Sequence, residues 1–94
     1  MKKVKIKQEI IETNTIVVPD GFSGWVAYNL GSAPVTINGI PLEGNTTIAN
    51  NPVPQKVDFL YIGENSVWDD NIRIVFSDQP STVKKVLLIR LKYN

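Results

Sequence analysis

The sequence predicts an all-β domain, a small antiparallel β-sandwich with the strand count of a minimal jelly roll. Short runs rich in β-branched and aromatic residues alternate apolar and polar side chains with a period of two. Clusters of Pro, Gly, Asn and Asp interrupt these runs about every 8 to 12 positions. No stretch sustains the 3.6-residue apolar period of a long helix. With 94 residues there is material for one core, so residues 1–94 are expected to form a single domain.

The elements follow in order. Residues 3–10 place Val4, Ile6, Gln8 and Ile10 on one face and Lys3, Lys5, Lys7 and Glu9 on the other, the pattern of a half-buried strand with its apolar face inward. Thr15–Val18 is β-branched and stops at Pro19-Asp20-Gly21, where a fixed φ precedes a residue that tolerates either sign of φ. In Gly24–Leu30, Trp25, Ala27 and Asn29 oppose Val26, Tyr28 and Leu30, and Gly31-Ser-Ala-Pro34 ends the run. Val35–Ile37 and Ile40–Leu42 flank Asn38-Gly39, the pair best suited to positive φ at both centres of a type I′ turn. Pro41 has no N–H to give a ladder, so its strand should lie at a sheet edge or present that position outward.

Thr46–Ala49 reads as a short strand between the Glu43-Gly44-Asn45 reversal and the loop Asn50-Asn-Pro-Val-Pro54. Val57–Ile62 is nearly all apolar, which suggests an interior strand covered on both faces. A polar loop from Gly63 to Asn71 contains Val67 and Trp68, and Ile72–Phe76 alternates again. Thr82–Tyr93 imitates a helix capped by Ser81. Its alternation of Val83, Leu87, Ile89, Leu91 and Tyr93 against Lys84, Val86, Leu88, Arg90 and Lys92, broken only by Lys85, favours a strand.

The chain contains no cysteine and no histidine. Disulfides, thiol nucleophiles, imidazole bases and Cys/His metal sites are all excluded by that composition. Carboxylates are the remaining acid–base groups, and Asp69-Asp70 is the only adjacent pair. A glycosidase dyad needs two carboxylates spaced across a cleft, for which a sandwich of this size has little material, so no enzymatic activity is expected. Asp20, Asp69, Asp70 and Asp78 offer oxygen to calcium, but their spacing matches no EF-hand loop. The glycines stand singly and form neither a Walker loop nor a dinucleotide fingerprint. No metal or other cofactor is expected.

Net charge is +1, but it is unevenly spread. Residues 1–7 carry +4, residues 84–94 carry +4, and the middle carries −7, with nine carboxylates against Lys56 and Arg73. First and last strands of a jelly roll commonly share a sheet, which would assemble Lys3, Lys5, Lys7, Arg90 and Lys92 into a basic stripe able to dock an acidic surface. The competing reading is that these lysines protect an exposed edge strand. Nucleic acid is not an expected partner, because the net charge is small and no aromatics are clustered among the basic residues. The basic start is followed by no apolar signal region. The longest apolar run, Val86–Ile89, is far too short to span a bilayer.

Trp25, Tyr28, Tyr61 and Trp68 could stack on sugar rings or pack the core. Trp25 suits the core, and Trp68, in a polar loop, is an equal candidate for partner binding. An open platform at such residues would make the chain a carbohydrate-binding module.

The stretch Gly24-Trp-Val-Ala-Tyr-Asn-Leu-Gly-Ser-Ala-Pro-Val-Thr-Ile-Asn-Gly-Ile-Pro-Leu-Glu-Gly-Asn45 resembles small β-structured virion proteins of tailed bacteriophages. Those proteins carry an N-L-G turn, a V-T-I-N-G hairpin and a following glycine reversal; many have Pro-Gly where this chain has Glu43-Gly44. The resemblance implies a capsid-decorating or tail-associated structural protein. It would be made in the host cytoplasm and work in the virion as a homo-oligomer, for instance a trimer, against other virion proteins.

Overall fold

The computed structural model describes residues 3–44, 55–59 and 67–93. Its strands are β1 (Val4–Ile11), β2 (Thr15–Val17), β3 (Gly24–Asn29), β4 (Val35–Ile37), β5 (Ile40–Leu42), β6 (Lys56–Phe59), β7 (Ile72–Phe76) and β8 (Val86–Tyr93). They form two antiparallel four-stranded sheets, ordered β1-β8-β3-β6 and β2-β7-β4-β5. Apart from the β4–β5 hairpin, successive strands cross between the sheets, and the first lies beside the last, the connectivity of a jelly roll. The expected strand Thr46–Ala49 and the continuation to Ile62 lie outside the described residues.

The core fills the space between the sheets. Trp25, Ala27, Val86, Leu88, Val57 and Ile11 face Val35, Ile37, Ile72, Ile74, Phe76 and Leu42, with Phe22 and Ala33 closing the ends. Each set follows the period of two along its strand, and the tightest members, Trp25, Ile37, Ile72, Ile74, Val86 and Leu88, are fully enclosed.

The β4–β5 hairpin forms as its turn residues require. Asn38 and Gly39 have φ of 51° and 80°, and Ile37 pairs with Ile40. The turn is also tied to β7: the Asn38 N–H donates to the Arg73 carbonyl over 2.9 Å, and the Arg73 N–H donates to Asn38 Oδ1 over 2.7 Å. β5 is a sheet edge among the described residues, which accommodates Pro41. A Cβ at Gly39 would meet no atom within 4 Å, so substitution there is penalised by backbone conformation alone. Gly39→Val forces a β-branched residue to positive φ and is expected to destabilise the fold by about 1 to 2 kcal/mol. Thermal unfolding of the variant measures this, and an unchanged midpoint would refute it.

Three expectations about strand environment are corrected. β6 is an edge strand among the described residues, not an interior one; Val57 is buried, but its neighbours Lys56 and Asp58 face solvent and pair at 3.4 Å. β8 begins at Val86 rather than Thr82, and its buried residues are Val86 and Leu88, on the face that also bears Arg90 and Lys92. β1 is turned the opposite way from its apolar pattern. Val4, Ile6 and Ile10 are 45%, 60% and 47% exposed, whereas Lys5, Lys7 and Glu9 share a face with buried Ile11.

Candidate functional site

The reversal of β1 creates the site. Antiparallel partners project to the same side of a sheet, and the register pairs Lys5 with Lys92 and Lys7 with Arg90. These four cations therefore stand together on the inward side of the β1–β8 ribbon. They line a cleft of about 430 Å³ together with Asp20 and Phe22. Phe22 comes from the β2–β3 loop and is buried, so the cleft has an apolar floor and a cationic rim.

Arg90 is the anchored member. Its Nη2 donates to Glu9 Oε1 over 3.2 Å, its guanidinium lies 5.9 Å from the centre of the Phe22 ring, and its side chain is only 11% exposed. Its Nε is buried without a hydrogen-bond partner. Lys5, Lys7 and Lys92 are exposed. The Lys92 Nζ passes above Gly21, where a Cβ would come within 3.7 Å of it. Ammonium groups around an apolar floor suit carboxylates or other oxyanions carried on a partly apolar partner.

The remaining residues of the expected stripe lie elsewhere. Lys3 is exposed just before β1 and does not line the cleft. Lys84 and Lys85 precede β8 at the end opposite Lys92, about 25 Å away at the rise of a strand; Lys84 lies 3.7 Å from Asp78 Oδ1. The four basic residues of positions 84–94 are thus divided by the length of β8. Phe22 belongs to the cleft but carried no recognisable signal in the sequence, because a loop brings it there; Asp20, read from the sequence only as a loop acid, lines the cleft as well.

Trp68 is half-buried and packs on the core. Its ring meets Trp25 edge-to-face, with centroids 5.4 Å apart and planes at 83°, and its backbone N–H donates to the Phe22 carbonyl over 2.7 Å. Trp68 is therefore tied to the β2–β3 loop and does not line the cleft. Tyr28 is half-buried with Lys56 Nζ 6.0 Å from its ring centre, and Tyr61 lies outside the described residues. No group of three or more carboxylates close enough to hold a metal ion occurs among the described residues.

On the opposite face of the same sheet Val4, Ile6 and Ile10 of β1 stand beside Tyr93, Leu91 and Leu87 of β8; that face also carries Gln8 and, on β6, Lys56 and Asp58, while Val26 of β3 is buried. The sheet therefore presents a cationic cleft on one side and the exposed Val4, Ile6 and Ile10 on the other. Comparison with protein-family models, with curated proteins and with solved structures gave no match to this chain.

Proposed function

We propose that the chain is a non-enzymatic virion structural protein, capsid-decorating or tail-associated, that self-associates and docks on an acidic surface of another virion protein. The observation that carries the docking role is the register of like charges. Directly opposed like charges disfavour strand pairing, yet Lys5–Lys92 and Lys7–Arg90 are adjacent pairs of this kind. An acidic partner would relieve both at once. The exposed Val4, Ile6 and Ile10 on the outer face of β1 support association, since exposed apolar surface marks interaction sites. Jelly rolls serve as capsid and lectin modules alike; the packing of Trp68 against Trp25 weighs against a sugar platform, and the resemblance of residues 24–45 supplies the virion setting.

The test uses polyglutamate as a model acidic surface. Binding should weaken by about tenfold or more between 0.1 M and 1 M salt, as the Debye length falls from about 10 Å to about 3 Å. Replacing Lys5, Lys7 and Lys92 together by Gln should abolish that salt-dependent binding while the variant stays soluble. Unaltered binding, accompanied by aggregation, would instead assign the lysines to edge protection. Binding of neutral glycans in place of polyglutamate would favour the carbohydrate module.

A further inference from the structure

Resting on the self-association proposed above, we infer that two copies join by antiparallel pairing of β1 with β1 about a two-fold axis at Gln8. The Leu30 N–H donates to the Lys85 carbonyl over 2.9 Å, continuing the register that pairs Gly24 with Leu91 and Asn29 with Val86. Backbone groups in an antiparallel ladder alternate sides from one residue to the next. Odd-numbered residues of β8 therefore bond β3, and even-numbered ones bond Lys5, Lys7, Glu9 and Ile11 of β1, with which they are paired. The N–H and C=O groups of Val4, Ile6, Gln8 and Ile10 point to the open edge, where no further strand lies among the described residues.

The side chains select one register at that edge. For the two outer faces to become continuous, the axis must pass through a residue and run perpendicular to the sheet. An axis at Lys7 would set that lysine against itself, one at Glu9 would oppose two carboxylates, and one at Ile6 would pair Lys5 with Lys7. An axis at Gln8 places each Lys7 opposite the other copy's Glu9 and each Ile6 opposite the other copy's Ile10. Both charged pairs are attractive, and exposed isoleucines cover one another. The Lys7–Glu9 pairs fall at non-hydrogen-bonded positions, where side chains approach most closely. About six backbone hydrogen bonds would close the seam at Ile6, Gln8 and Ile10. The product is an eight-stranded sheet in which the exposed isoleucines of both copies meet on the outer face, with the two cationic clefts on the other side.

Mass measurement and two variants test the pairing. Wild-type chain should reach twice its 10.5 kDa by light scattering. Gln8→Pro removes an N–H that points to the open edge and takes no part in the β1–β8 ladder, a position where a strand tolerates proline. This variant should keep its circular dichroism and weaken dimerisation about a hundredfold. Because the chain has no cysteine, Gln8→Cys supplies a single thiol at the axis. Paired Cα atoms about 5.5 Å apart permit a disulfide, so mild oxidation should link most of the chain into covalent dimers. Ile16→Cys, on the exposed edge strand β2, serves as the collision control and should not be linked. Should Gln8→Pro fail to fold, the cysteine variants decide. A trimer, or a dimer in which Gln8→Cys links no better than Ile16→Cys, would overturn this register and leave self-association standing. A chain monomeric at millimolar concentration would overturn both.

Discussion

Gly31→Ala is expected to lower the stability of this domain by about 3 kcal/mol or more, although it adds one methyl group. Gly31 is buried where the chain leaves β3, and a Cβ there would stand 2.1 Å from the Val83 carbonyl oxygen and 2.8 Å from the Lys85 nitrogen. Both are backbone atoms, so the methyl cannot be accommodated by a side-chain rotation. The segment before β8 would have to move, and it is held by four hydrogen bonds. Leu30 and Gly31 N–H groups donate to the Lys85 carbonyl over 2.9 and 3.0 Å, and the Ala33 N–H donates to the Val83 carbonyl over 3.0 Å. The Val83 N–H donates to Ser32 Oγ over 2.8 Å. Losing several bonds at about 1 kcal/mol each adds to the ordinary penalty of overpacking, about 1 to 3 kcal/mol. For a domain of this size that is a fall of about 12 °C or more in melting temperature. Gly39→Ala is the matched control, since it has open space around it and should lose far less. Equal melting points for the two variants would remove the close approach as the reason for glycine at 31.

Asn29→Leu is the second large effect, expected at about 2 to 5 kcal/mol from the loss of a buried hydrogen-bond centre. Asn29 is fully enclosed at the end of β3. Its Nδ2 donates to the Ala33 carbonyl over 3.0 Å and to the Glu43 carbonyl over 3.0 Å, while its Oδ1 accepts the Gly31 N–H over 3.3 Å. One side chain thus ties the β3–β4 turn to the end of β5. Leucine has a similar volume but can satisfy none of these groups, and two carbonyls would lose a donor. Asn29→Asp keeps the acceptor and lacks the amide donors, so it should be destabilised as well. Denaturant unfolding of both variants gives the comparison. A leucine variant as stable as the wild type would show that the carbonyls find other partners and that the amide is not what fastens the two segments.

Local pattern made most of the sandwich legible before any contact was known. Positive φ at Asn38 and Gly39 follows from Asn-Gly between β-branched flanks, because few other residue pairs adopt that backbone without a steric cost. The edge position of β5 follows from Pro41, which has no hydrogen to donate. Trp25, Ala27 and Asn29 were set against Val26, Tyr28 and Leu30 by the pleat alone. The same reasoning treated Asn29 as one more strand residue and Gly31 as one more turn residue. What makes each demanding is a partner distant in sequence, the Glu43 carbonyl for one and the Val83 carbonyl for the other.

The sequence by itself determined that β1 and β8 have two chemically different faces, since alternation with a period of two is a property of the chain. It could not determine which face looks inward. Hydrophobicity argued for Val4, Ile6 and Ile10, but a strand's orientation is set by the sheet it joins. Trp25 and Ala27 bring Arg90 and Leu88 to the core side through the β3–β8 register, and the β1–β8 register then brings Lys7 and Glu9 to that side as well. The enclosure of Trp25, Val86 and Leu88 outweighs the exposure of three aliphatic side chains on an edge strand, each worth about 1.5 to 3 kcal/mol if fully buried. Tertiary structure alone therefore decided that the cations gather around Phe22 in a cleft and that Val4, Ile6 and Ile10 of β1 are left exposed.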